Sequence, residues 1–147
     1  MFGIASKRIY WSGNIDFISG SSVGGRIIYL DGSNQHGIAV GPTWYTARSW
    51  SSMMGEDGRA TNNYGPYRVP TESEFNTRIR PMLNGTINDD LPWGVYSGWP
   101  ASEQGLDKWW VADEVDANNA RAYSVQTDTF VTILKSTSAV GVILRSF

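Results

Sequence analysis

Hydrophobic positions along the chain switch between strand-like and helix-like spacing in a definite order. Arg26-Ile27-Ile28-Tyr29-Leu30 is rich in β-branched and aromatic residues, and His36-Gly37-Ile38-Ala39-Val40 is a second apolar run. The polar insert Asp31-Gly32-Ser33-Asn34-Gln35 between them carries Asp-Gly, the sequence form of a β-hairpin turn. After Pro42, the residues Trp44, Ala47, Trp50 and Met54 recur at three- and four-residue spacing. That stripe predicts a helix over 43–54, with Thr43 as its N-cap and Gly55 as its stop.

A Gly/Asn-rich loop follows, and then Val69-Pro70-Thr71-Glu72-Ser73-Glu74-Phe75. Thr71-x-x-Glu74 is a capping box, in which the hydroxyl and the carboxylate satisfy two free N–H groups reciprocally. Phe75, Ile79 and Met82/Leu83 form the apolar stripe of this second helix, and Pro81 limits it to about three turns. The segment from Asn84 to Asp107 is punctuated by Gly and Pro and reads as loop. Beyond it Trp109-Trp110-Val111-Ala112 is a short strand. Ala120–Val125 and Thr129–Leu134 flank a turn at Gln126-Thr127-Asp128, and Ala139–Leu144 closes the chain. Strands, two helices and strands again make an α+β order.

Residues 1–22 mix short apolar runs, such as Ile9-Tyr10-Trp11 and Ile15-Asp16-Phe17-Ile18, with Gly and Ser. They are too few to own a core. The expected organisation is therefore an arm for attachment or oligomer contact over 1–22, and one domain over 23–147. A length of 147 residues is a single-domain length.

Composition excludes several chemistries. The formal charge is −2, from 12 Lys and Arg against 14 Asp and Glu, so a phosphate-tracking basic face is not expected. With no Cys there is no disulfide framework, thiolate nucleophile or Cys-type metal site. One His, His36, is too few for a His-rich metal site. Asp113, Glu114 and Asp116 could supply the carboxylate pair of a glycosidase, but acids in loops are common and this spacing selects nothing. Asn88-Asp89-Asp90 and 113–119 are oxygen-rich, as calcium requires, yet they also read as ordinary solvated loops. No enzyme, metal or cofactor is expected.

Aromatic content points the other way. Seven Trp, seven Tyr and five Phe make 13% of the chain, and surface aromatics usually bind something. Pro92-Trp93-Gly94-Val95-Tyr96-Ser97-Gly98-Trp99 and the stretch from Trp109 to Tyr123 combine aromatics with hydrogen-bonding side chains, the residue mixture of a binding surface. Asp113, Glu114, Asp116, Asn118, Asn119 and Arg121 form a polar run between two apolar strands, longer than a tight turn requires. Strand alternation puts Trp109 and Trp110 on opposite sides, which predicts that at most one of them is core.

Three segments, in order, resemble a known pattern. Gly24-Gly25-Arg26 through Val40 looks like the opening of bacterial and phage domains of the Fibrobacter succinogenes major paralogous type. Tyr67-Arg68-Val69-Pro70-Thr71 is similar to their "WRLPT" helix start. Trp109 to Glu114, Asn118-Asn119-Ala120, Lys135 and Gly141 to Arg145 resemble their "YWSSTE…NAW…K…VR" ending. Val111-Ala112 departs from the pattern, which has two Ser there.

The resemblance implies a C-type-lectin-like fold, with two helices packed on an antiparallel β-sheet and long loops. It implies a structural place for His36 in the hairpin motif. It also implies that Trp110 is the buried partner, leaving Trp109 for contact. Relatives of that fold include formylglycine-generating enzymes, iron-dependent enzymes and variable tip proteins. The Cys pair of the first and the His cluster of the second are lacking here, as are the calcium-lectin tripeptides.

The expected function is non-enzymatic recognition of a cell-surface glycan or protein. The expected site is Trp99, Trp109, Asp113, Glu114, Asp116, Asn118, Asn119 and Arg121. The N-terminal residues do not read as a signal peptide, which favours a phage virion, as tail fibre or capsid appendage, over an adhesin on the bacterial surface. Expected partners are that receptor and further copies of the chain, a trimer among the options, or other virion proteins, with neither nucleic acid nor membrane insertion. The alternative is a structural virion or assembly protein whose aromatic surface is an oligomer interface.

Overall fold

A computed structural model describes residues 17–41, 45–59, 66–84 and 107–147. Within them the fold is α+β, dominated by sheet with three short helices. Phe17–Ile18 (β1) and Ser21–Ser22 (β2) form a small hairpin, turned by Ser19 and Gly20, both at positive φ. Arg26–Leu30 (β3) and Gly37–Val40 (β4) form the expected hairpin. Its turn is held by Asp31, whose carboxylate accepts from the Ser33 N–H at 3.0 Å and from the Ser33 hydroxyl at 2.6 Å.

The Gly-Gly step before β3 has a steric reason. Gly24 sits at φ +77°, and a Cβ on Gly25 would fall onto the Val40 carbonyl. The Tyr67 hydroxyl donates to the Gly24 carbonyl at 2.6 Å, and Arg145 Nη1 donates to that of Val23 at 2.8 Å. These two bonds tie the entry of the chain to segments far along it. Ile18, within the predicted arm, packs with Val23, Ile27 and Ala39.

The predicted helix over 43–54 is corrected. Tyr45–Arg48 is a strand (β5), and the helix begins only at Trp50–Met54 (α1), capped by Ser49, whose side chain accepts from the Ser52 N–H. β5 pairs with Ala139–Gly141 (β9), nearly a hundred residues away, and that ladder outcompetes the local helical stripe. Ala47 is accordingly exposed, and Met53 is buried. Thr43 and Trp44 lie outside the described residues.

The second helix is Glu72–Arg78 (α2), followed at once by Arg80–Leu83 (α3). The break falls two residues before Pro81, which has no N–H to give and crowds the carbonyl four residues back. Thr71 caps as expected, its hydroxyl accepting from the Glu74 N–H at 3.2 Å. Glu74 does not reach back, however. Its carboxylate is taken by the Arg68 guanidinium, at 2.9 and 2.5 Å. Thr71→Ala is expected to cost about 1 kcal/mol, read as a lower urea midpoint at unchanged slope.

Lys108–Glu114 (β6), Asn119–Ser124 (β7) and Thr129–Leu134 (β8) are consecutive antiparallel strands. The five-stranded sheet runs β5-β9-β6-β7-β8, with one parallel pair, β6 to β9, a departure from the expected all-antiparallel sheet. Leu144–Ser146 (β10) joins β4 in a three-stranded sheet, β10-β4-β3.

β6 is the axis of the core. Trp109, Val111, Phe75, Ile79, Met82 and Tyr123 pack on one of its faces. On the other, Trp110 packs with Met53, Tyr67, Val69, Ala120, Ala122 and Ile143. Both tryptophans are 0% exposed. The alternation is as expected, but helices cover both faces of β6, so Trp109 is core and not a contact residue.

A side-chain lock ties α3 to the β7–β8 turn. Asp128, at φ +55°, accepts from Arg80 Nε at 2.8 Å and from the Tyr123 hydroxyl at 2.5 Å. These donors hold the Asp128 carboxyl far below the usual carboxylate range, Arg80 contributing most and then Tyr123. A depressed carboxyl adds stability above its unfolded value, near pH 4, and loses it as pH falls further. Acidification from pH 6 to pH 2.5 should therefore destabilise the wild type more than Asp128→Asn, checked by urea midpoints across that range.

Candidate functional site

The site begins with an irregularity in β6. Trp110 pairs with Ala122 and Glu114 with Ala120, so Val111, Ala112 and Asp113 together stand opposite the single residue Arg121. Such a bulge frees backbone groups from the ladder and re-aims side chains. Here the freed groups are taken from outside. Trp50 Nε1 donates to the Val111 carbonyl at 3.0 Å, and the Ala112 N–H donates to the Pro70 carbonyl at 2.9 Å.

The bulge turns Asp113 toward the start of α2, where its Oδ1 accepts from the Glu72 N–H at 2.6 Å. The Glu72 carboxylate in turn holds Arg121, with Nε at 2.8 Å and Nη2 at 3.4 Å. Arg121 Nη1 donates to the Thr132 hydroxyl at 3.0 Å. The hydrogen bond to Glu72 raises the Arg121 pKa most, burial opposes it, and the charges of Glu72 and Asp113 add to it. Arg121 is thus a fixed guanidinium set among carboxylates.

Around this chain of contacts lies an open groove of about 610 Å³, lined by Glu72, Ser73, Asn76, Asp113, Glu114, Arg121 and Phe130. Phe130 is anchored by its ring contacts. It meets Phe75 edge-on at 5.9 Å and 82°, and Tyr123 at 5.4 Å. Glu114 is braced by Lys135, whose ammonium also sits 4.6 Å from the centre of the Trp50 ring. The groove therefore presents carboxylate acceptors, a hydroxyl, an amide, a guanidinium and an aromatic ring, all on elements held by the core. Such a set offers hydrogen-bond donors and acceptors beside an aromatic face.

The predicted site residues divide into four groups. Asp113, Glu114 and Arg121 meet in the groove. Asp116, Asn118 and Asn119 do not, because they build the β6–β7 turn. Asp116 Oδ1 accepts from the N–H groups of Asn118 at 2.8 Å and Asn119 at 2.9 Å, and both its oxygens accept from the Asn119 amide. Those bonds, Asn118 first, lower the Asp116 pKa. Trp109 is in the core. Trp99 lies outside the described residues.

The premise of an unusually long polar connection is also corrected. β6 runs to Glu114 and β7 starts at Asn119, which leaves only residues 115–118 between them, an ordinary hairpin length. The residues that were missed are Glu72, Ser73, Asn76 and Phe130. The first three lie on α2, where Glu72 and Asn76 fall three residues before the buried Phe75 and Ile79 and so border the apolar stripe; the bulge and the Arg121–Glu72 pair are what bring them to the groove.

No family model matches this chain, and no curated protein matches it.

Proposed function

We propose that this chain is a C-type-lectin-like recognition module that binds a cell-surface glycan or protein without catalysis, carried on a phage virion or a bacterial surface. The observation that carries the reading is the groove between α2 and the β6–β7–β8 surface, with Phe130 and a fixed set of polar groups at its walls. Support for the fold comes from the order of elements. The Gly-Gly hairpin, the Val-Pro-Thr helix start and the Trp-Trp strand share one core, and the terminal strand β10 closes back on the first hairpin.

A glycan suits these walls. A sugar ring lays its C–H face on Phe130, while Asp113, Glu72 and Asn76 take its hydroxyl hydrogens. Charge sets the preference among glycans. Glu72 holds Arg121 and Lys135 holds Glu114, which leaves the charge of Asp113 uncompensated, so an acidic sugar meets net repulsion. Neutral glycans should bind and their sialylated counterparts should bind more weakly, as a glycan array probed with the whole chain will report. Stronger binding of the sialylated set would contradict this account of the groove.

A further inference from the structure

The geometry points to a second copy of this chain as the partner of strand β8, in a two-fold dimer that joins the two five-stranded sheets edge to edge. This inference makes no use of the ligand reading. Among the described residues, β8 is hydrogen-bonded on one side only, to β7, with six regular register pairs and no bulge. Its sequence, Thr-Phe-Val-Thr-Ile-Leu, holds no charge and no Pro. None of the six residues is buried, and Leu134 is 56% exposed.

A regular, neutral, β-branched edge is a template for pairing, and proteins normally blunt such edges. This protein does so elsewhere. β5 has four residues, an irregular register and Arg48 at its end. β3 is bulged between Ile27 and Tyr29, and β10 has three residues with Arg145 among them. β8 lacks all of these devices. Among the described residues, β8 is the edge left open to a partner.

Register identifies the occupant. In an antiparallel pair of identical strands, the two-fold axis runs normal to the sheet and must pass a residue, so that each residue faces one from the same side. An axis at Thr132 sets Thr132 against Thr132 of the second copy, Phe130 against Leu134 and Val131 against Ile133. Thr–Thr is a favoured cross-strand pair, the flanking pairs are apolar on both sides, and no like charges meet. An axis at Val131 would instead set Asp128 against Leu134. The assembly closes at two, because pairing β8 with β8 consumes the edge that each copy leaves bare among the described residues. Both grooves, each walled by its own Phe130, then open on the same face beside the axis. That arrangement doubles the contact with a repetitive surface.

The chain has no Cys, so a single introduced thiol reports the axis directly. Light scattering after size exclusion should give twice the chain mass for the wild type, and the monomer mass for Thr132→Lys with an unchanged circular dichroism spectrum. Independently, Thr132→Cys should cross-link to a covalent dimer on mild oxidation, whereas Val131→Cys and the exposed Ser51→Cys should not. A monomeric or trimeric wild type, or a Thr132→Cys that fails to cross-link, overturns the proposal. So does cross-linking of Val131→Cys in its place.

Discussion

Trp109→Ala is expected to cost about 3–5 kcal/mol, the range for deleting a large aromatic from a packed core. Domains of this size have only about 5–15 kcal/mol in total, so the variant should be extensively unfolded well below the wild-type midpoint. The cost has two parts. The indole's apolar surface, now wholly shielded, is lost, and a void opens between Phe75, Tyr123 and Val140, which cannot all close over it. Phe75 and Trp109 lie 6.5 Å apart between ring centres, in a four-ring group completed by Tyr123 and Phe130. Loss of Trp109 should therefore also disturb Phe130 and the groove wall. Urea unfolding followed by circular dichroism checks this. A midpoint within error of the wild type would mean that the residue is not core.

Phe130→Ala is expected to have the largest effect on binding of any single change in the groove. The ring is half-buried, supported on one side by Phe75 and Tyr123 and open to the groove on the other. An aromatic anchor of this kind, when truncated, costs about 2 kcal/mol of affinity, or about 30-fold in Kd. Asp113→Asn should cost less, because the amide oxygen still accepts from the Glu72 N–H while the charge is lost. In contrast, Asp116→Ala and Asn119→Ala should leave affinity unchanged and lower stability, since their hydrogen bonds close the β6–β7 turn. Titration of each purified variant against the best glycan from the array separates these outcomes.

Much of the local structure was legible in the sequence because its causes are local. Asp31-Gly32 makes a turn, Thr71 caps a helix, and Phe75, Ile79 and Met82 make a stripe wherever they sit. What was not legible depended on partners distant along the chain. β5 looked helical because its ladder is supplied by β9. Trp109 looked available because alternation tells which side a residue faces, not what covers that side. Helices α1 and α2–α3 cover both faces of β6, a fact of tertiary packing. The groove was half legible for the same reason. Asp113, Glu114 and Arg121 are neighbours along a hairpin, whereas Glu72, Ser73, Asn76 and Phe130 reach them only through the bulge, the Pro70 contact and the Arg121–Glu72 pair.

The central claim is that recognition occurs in the groove between α2 and the β6–β7–β8 surface. Amide chemical-shift mapping on the intact chain, titrated with the best neutral glycan from the array, tests it most directly. The account predicts that the largest shifts fall on Ser73, Asn76, Asp113, Arg121 and Phe130, with little change at Asp116, Ala117 and Asn118. Shifts concentrated on the β6–β7 turn, or on residues outside both, would place the site elsewhere and contradict the account.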